Sequence, residues 1–249
     1  MSDAEAKAYW SQQKSSHHRG DDTGFYEQKA AEHAAFMDPS DRAAGSVDLG
    51  CGAGELLVHL LKHVEVKAGL DLSDTMLMEA RKKLDGSGVE LLSPDVFDYL
   101  PSSPLAVWMT TGALNQYLAV NELNRFLDMF TSNRQARSLY LFDCVDPLRH
   151  ELLYQGIGYH INPPDLQGSR GRVLAKLVYR YGLRFVFAAK LLSGYFSRNP
   201  VKLRGTGMGY GYLPAFWVDA AKRRGLEIQI VSSRVYEYRF HVALRKPGA

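Results

Sequence analysis

The stretch VDLGCGAGE, Val47 to Glu55, places glycines at 50, 52 and 54 directly behind a short apolar run. The run reads as a buried strand. Leu56, Leu57, Leu60, Leu61 and Val64 of the following ELLVHLLKHV fall at helical spacing. A strand that turns through glycines into a helix opens an α/β unit. An open parallel sheet receives its ligands beyond the carboxyl ends of its strands, near the point where strand order reverses. Glycines in that loop permit unusual backbone angles and close approach to the main chain. A dinucleotide loop has the form G-x-G-x-x-G. Here the spacing is G-x-G-x-G, Glu55 stands where the third glycine belongs, and Asp48 precedes the loop. An acid beside the loop suits a cationic ligand better than a pyrophosphate.

Outward from the loop, the chain alternates between strand and helix periods. VKAGLDL (66–72) is the second strand, and Ser73 is a candidate N-cap for SDTMLMEARKKL, which stacks Leu77, Ala80 and Leu84 on one face. VELLSPD (89–95), LAVWMTT (105–111) and SLYLFDC (138–144) are three further strands, the last two separated by the helical NELNRFLDMFTS. Residues 24–36 read as a leading helix stopped near Asp38–Pro39. At the other end, LPAFWVDAAKRRG is a helix ending at Gly225, followed by LEIQIVSSRV and YRFHVALRK, which can pair antiparallel. This alternation predicts an α/β, Rossmann-like sheet with right-handed crossovers, helices on both faces and an antiparallel C-terminal strand. Residues 1–249 are read as a single domain, interrupted at 146–210 by a basic, helical, lid-like insertion.

Two acids fall in register with the loop. Asp71 ends the second strand, where an acid hydrogen-bonds the hydroxyls of a ribose. Asp95 closes the third, placed to accept from an adenine amino group while the backbone at Val96 supports the ring. At these residues the chain resembles the class I S-adenosylmethionine-dependent methyltransferases, small-molecule and sugar types most of all. VDLGCGAGE corresponds to their first motif, GLDLSDTMLMEA to the acidic ribose motif and SPDVFDYLP to the adenine motif. TTGALNQYL (110–118) looks like the segment that lies beside the methionine moiety and the methyl group. The resemblance covers roughly 24–145 and 212–246 and implies a seven-stranded methyltransferase sheet with S-adenosyl-L-methionine as cofactor. It implies that Gly50, Cys51, Gly52 and Gly54 lie against the methionine end, with Asp48 near its ammonium. Asp71 would take the ribose, Leu72 and Met76 would flank the adenine, and Asp95, Val96 and Phe97 would receive its edge. Thr110 and Asn115 would stand beside the methyl group.

Composition narrows the class. Apolar residues make up 46% and charged residues 23%, ordinary for a chain that buries a core. Two cysteines, Cys51 and Cys144, make no disulfide framework. The first residues, MSDAEAKAYWSQQKSSHHRGDD, are polar and show no secretory pattern, and no run nears the roughly 18 apolar residues of a membrane span. A cytoplasmic protein is expected. The net charge of +3 is unevenly spread: no acid lies between Asp165 and Asp219, while residues 166–210 carry nine Lys and Arg. Within 172–192, Arg172, Lys176, Arg180 and Arg184 form a stripe opposite Leu174, Val178, Tyr181, Phe185 and Leu192. Such a face suits a solvated lid helix or a contact with an anionic membrane surface or lipid-linked acceptor. Nothing resembles a nucleic-acid-reading motif, and nucleic acid is not expected as a partner.

The acceptor side is less legible. Candidate bases are His150, His160 and Asp143, with Asn115 as an orienting group, and no spacing pairs them into a dyad. NPPD at 162–165 fails as the motif of amino-group methyltransferases, because it follows the fifth strand and ends in Asp165 rather than an aromatic residue. His17, His18, Asp21 and Asp22 lack a spacing that would organise a metal, so no metal is expected. The expected reaction is methyl transfer from S-adenosylmethionine to oxygen or nitrogen of a small-molecule, sugar or lipid-linked acceptor. The alternatives are an NAD(P)-dependent oxidoreductase, against which Glu55 and the paired C-terminal strands argue, and a non-catalytic S-adenosylmethionine-binding module.

Overall fold

The computed structural model describes residues 23–112, 114–150, 189, 200–203 and 209–248. Its centre is a seven-stranded sheet. In chain order the first five strands are β1 (Ser46–Leu49), β2 (Val66–Leu70), β3 (Glu90–Leu92), β4 (Val107–Thr110) and β5 (Ser138–Val145). A short pair, β6 (Val201–Lys202) and β7 (Tyr210–Gly211), stands apart, and β8 (Glu227–Ser232) and β9 (Arg239–Arg245) finish the sheet. The spatial order is β3-β2-β1-β4-β5-β9-β8. The first five are mutually parallel, and β9 runs antiparallel between β5 and β8. The chain winds outward from β1 to β3 and then returns to β4, so strand order reverses between β1 and β4.

Strict alternation along the central strands builds two cores. Trp108, Leu139 and Leu141 point to one face. There they meet Leu123, Phe126, Leu127 and Phe130 of one helix (Val120–Ser132), and Phe216 and Trp217 of another (Pro214–Arg223). Val107, Met109, Tyr140 and Phe142 point to the opposite face, against Tyr26, Ala30 and Ala34 of α1 (Thr23–Phe36) and Leu56, Leu57 and Leu60 of the helix Glu55–Leu60. The leading helix is therefore half of one core rather than a loose extension. Past its end, Asp38 caps a short helix, Pro39–Arg42, by accepting from Ser40 N. Tyr140 Oη then donates to Asp41 across the sheet at 2.7 Å.

The strands, the helices and the antiparallel C-terminal pair follow the sequence pattern, and Ser73 caps the helix Asp74–Lys83 by accepting from Met76 N at 3.3 Å. The pattern did not reveal the β6–β7 ladder, which begins inside the segment read as helical, at Val201, and closes at its end with Tyr210 and Gly211. Both strands are two residues long, too short for any period to register. Most of 146–210 lies outside the described residues, including His160, NPPD and the basic stripe at 172–192. Where the chain returns, Gly209 crosses the helix Leu114–Tyr117 so closely that a Cβ would stand 1.9 Å from the Gln116 carbonyl oxygen. Tyr212 Oη then donates to Leu118 O at 2.6 Å.

Candidate active site

The glycine loop sits at the carboxyl end of β1. Gly50, Gly52 and Gly54 take φ of 80°, 58° and 77°, the left-handed region that side chains disfavour, and Gly54 caps the following helix. Both Gly50 N and Cys51 N donate to Leu70 O, at 2.7 and 2.8 Å, tying the loop to the end of β2. Asp71 completes the tie: its carboxylate accepts from Gly52 N and from Ser73 N, each at 2.9 Å. Burial pushes the Asp71 carboxyl up, against those two backbone donors. Each oxygen keeps a further acceptor position for a ribose hydroxyl.

Asp48 is fully buried, and its carboxylate grips the segment after β4. Thr111 donates to it twice, from N at 3.0 Å and from Oγ1 at 2.6 Å. Desolvation dominates and raises its pKa to about 6. The same two loops meet at their glycines. A Cβ on Gly112 would lie 2.4 Å from Gly50 O, and one on Gly50 would lie 3.3 Å from Leu114 Cβ. Glu55, at the start of the following helix, accepts from Lys83 Nζ at 3.1 Å.

The remaining cofactor candidates line the same end of the sheet. Met76 is buried and Leu72 half-buried at the start of the second crossover. Asp95 caps the short helix Val96–Tyr99 by accepting from Phe97 N at 2.8 Å, and Val96 and Phe97 are buried in the core. Cys51 is buried, and its burial raises the thiol well above its usual range. Thr110 and Asn115 carry buried oxygens, Oγ1 and Oδ1, without a hydrogen-bond partner among the described residues. Asn115 Nδ2 is engaged, donating to Phe142 O at 3.1 Å and Cys144 Sγ at 3.2 Å. Orphaned buried acceptors cost about 1–3 kcal/mol each, so these two fit a site that a bound ligand completes.

Asp143 occupies an environment the sequence did not disclose. It breaks the β5–β9 register between Leu141 and Cys144 and has φ of 54°. Lys29 Nζ lies 2.5 Å from Asp143 Oδ2, His33 Nε2 3.7 Å and Arg239 Nη1 4.0 Å. Its own N–H donates to His241 Nδ1 at 3.2 Å. Burial opposes its charge, but Lys29, His33 and Arg239 outweigh burial and hold the carboxyl well below the usual range. That environment suits an ion held in place rather than a group that takes a proton. Burial also pushes His33 and His150 down, each to about 4. His33, Asp143 and His241 could bring three ligand atoms within 4.8 Å of one another. The Lys29 ammonium already stands against the only carboxylate of that trio, which disfavours a metal there. Sequence reasoning missed Lys29, His33, Arg239 and His241. The available signals were an i, i+4 pair on one helix and an i, i+2 pair on one strand face.

Comparison with known proteins agrees with this geometry. The profile of the family described as "Methyltransferase domain" matches residues 47–132. No curated protein matches the chain. Mitomycin 7-O-methyltransferase aligns at 16% identity and TM-score 0.53, over 88% of this chain and 53% of its own. This chain therefore spans about half the length of that protein. Magnesium protoporphyrin IX methyltransferase from Synechocystis PCC 6803, solved with bound S-adenosylhomocysteine, aligns at 18% identity and TM-score 0.52, over 90% of this chain and 84% of its own. Streptomyces venezuelae DesVI aligns at 16% identity and TM-score 0.55, covering 91% and 93%. The fold is that of the class I methyltransferases. The glycine loop lies inside the stretch that the methyltransferase-domain profile matches.

Proposed function

We propose that this chain is an S-adenosylmethionine-dependent methyltransferase that transfers a methyl group to an oxygen or nitrogen of a small-molecule, sugar or lipid-linked acceptor, with 146–210 closing over the site as a lid of the single domain. The observation that carries the reading is the junction of Gly50 with Gly112, held by the double bond from Thr111 to Asp48. It brings the loops after β1 and β4 together at the point where strand order reverses, beside the orphaned oxygens of Thr110 and Asn115.

In this reading Gly50, Cys51, Gly52 and Gly54 form the floor under the methionine end. Asp71 takes the ribose, and Leu72, Met76, Asp95, Val96 and Phe97 enclose the adenine. S-adenosylmethionine, when bound, supplies an electrophilic methyl on a sulfonium. The residues supply alignment, which in well-oriented reactions contributes up to about 7–11 kcal/mol. Asn115 is fixed by Phe142 and Cys144, so its free Oδ1 is a preset acceptor for a hydroxyl or amine proton. His150 remains the described candidate for a base and His160 the other, outside the described residues. Two solved proteins of this fold, the mitomycin and magnesium protoporphyrin methyltransferases, carry small molecules in their names.

Calorimetric titration with S-adenosylmethionine and, separately, NAD(H) is the first test. Preferential binding of NAD(H) sinks the reading. An acceptor panel followed by mass spectrometry then identifies the class, and a panel methylated only on macromolecules overturns the small-molecule part.

A further inference from the structure

Lys29 and Arg239 are both buried, and among the described residues Asp143 is the only carboxylate within ion-pair distance of either. Two basic side chains thus share one carboxylate. Glu32, the other nearby acid, is already engaged by Ser233 Oγ, Arg234 N and, at 3.4 Å, His241 Nε2. A buried charge without a partner is costly, and such sites are completed by a ligand of opposite sign.

The surroundings are those of a binding site. The Arg239 guanidinium lies over the rings of Tyr236 and Tyr238, at 4.5 and 5.4 Å, and Lys29 Nζ is 5.6 Å from the Tyr236 centroid. Tyr238 in turn meets the edge of His150 at 5.4 Å. The ring faces orient the guanidinium and the Tyr238 side chain hydrogen-bonds it, which leaves Nε as the donor without a partner among the described residues.

Position links this pair to the reaction. Leu141 is level with Thr110 in the sheet, and Asp143 lies two residues further toward the carboxyl end. Asn115 bonds the residues on either side of Asp143, and Lys29 is near enough to Asp48 for its charge to lower that group's pKa. We propose that Lys29 and Arg239, held by Asp143, form a carboxylate-binding subsite at the mouth of the methyl-transfer site. This rests on the methyltransferase reading above. The carboxylate belongs to the methionine moiety of the donor or to an acidic acceptor, and the two sources separate experimentally.

The test uses the full chain and the variants Lys29→Met, Arg239→Met and the charge-keeping Arg239→Lys, with thermal melts as a folding control. Calorimetry compares S-adenosylhomocysteine with its decarboxylated analogue, then benzoate with benzamide in the presence of saturating S-adenosylhomocysteine. If the donor's carboxylate is bound, the wild type prefers S-adenosylhomocysteine by about tenfold or more. Both methionine variants lose that preference and Arg239→Lys keeps part of it. If the acceptor's acid is bound, donor affinity is unchanged and the variants lose the preference for benzoate over benzamide. Variants that match the wild type in both comparisons overturn the subsite while leaving the methyltransferase reading intact. A wild type that does not bind S-adenosylhomocysteine overturns that reading instead.

Discussion

The α-carbon of Gly112 lies so close to Gly50 that a side chain on the first would press on the carbonyl of the second, its Cβ 2.4 Å from the oxygen. The contact is between backbone and backbone, so no rotamer change relieves it. It joins the loop after β1 to the segment after β4, the two pieces between which a donor's methionine end would lie. Asp48 makes the same connection from below through Thr111. One steric and one polar link thus fix the width of the site.

Gly112→Ala therefore forces the two loops apart. Overpacking of this kind costs about 1–3 kcal/mol. We expect a lower melting temperature and a drop of about tenfold or more in S-adenosylhomocysteine affinity by calorimetry. Gly86→Ala is the control. That glycine has positive φ, 71°, unlike Gly112, and a Cβ there meets nothing within 4 Å, so only stability changes.

How far the sequence discloses this molecule depends on the range over which each feature is encoded. The strands, the crossover helices and the Ser73 cap depend on residues within a turn or two of one another, and the local pattern shows them. The glycine loop is visible because its unusual backbone demands a particular residue type at three positions in five. Gly112 is constrained by contact rather than by backbone angle and has no motif around it, because the constraint comes from Gly50, sixty-two residues earlier. The Lys29–Asp143–Arg239 group is invisible for the same reason. Its members come from the first helix, the fifth strand and the last, and only the inserted β9 brings them together. Asp48 was legible as an acid beside the loop, but not its commitment to Thr111.

Asp48 and His33 give stability opposite dependences on pH. The Asp48 pKa is about 6 in the folded chain against 3.8 ordinarily, so its stabilising contribution is present below pH 3.8 and is lost as pH rises through 6. Two units correspond to about 3 kcal/mol. Asparagine keeps both contacts to Thr111, accepting from N and donating to Oγ1, and does not ionise. Urea denaturation of Asp48→Asn should therefore show a stability gain over the wild type that grows between pH 4.5 and 6.5. A gain that is flat across that range contradicts the assignment.

His33 has the reverse sign. Its pKa falls from 6.5 to about 4 on burial, so its contribution is complete above pH 6.5 and is lost as pH drops through 4. The ring stacks on Phe142 with centroids 4.0 Å apart, a contact that phenylalanine can keep. His33→Phe should gain stability relative to the wild type as pH falls from 6.5 toward 4.5. In the wild type the two slopes offset each other, so each variant exposes the other's titration.

Asp71 and Ser73 are adjacent in space, yet their substitutions should separate stability from binding. The Ser73 hydroxyl accepts from Met76 N, so Ser73→Ala loses a helix cap worth about 1 kcal/mol, while the N–H that bonds Asp71 is kept and donor affinity should change little. Asp71 holds Gly52 N with one oxygen and Ser73 N with the other. In Asp71→Asn one of those N–H groups faces an amide NH₂ instead of an acceptor. The charge that would strengthen a bond from a ribose hydroxyl is also gone. S-adenosylhomocysteine affinity should fall by about tenfold or more in Asp71→Asn, while its melting temperature falls no further than that of Ser73→Ala. Equal losses of affinity in the two variants would mean that Asp71 acts only by holding the loop, and that the ribose is bound elsewhere.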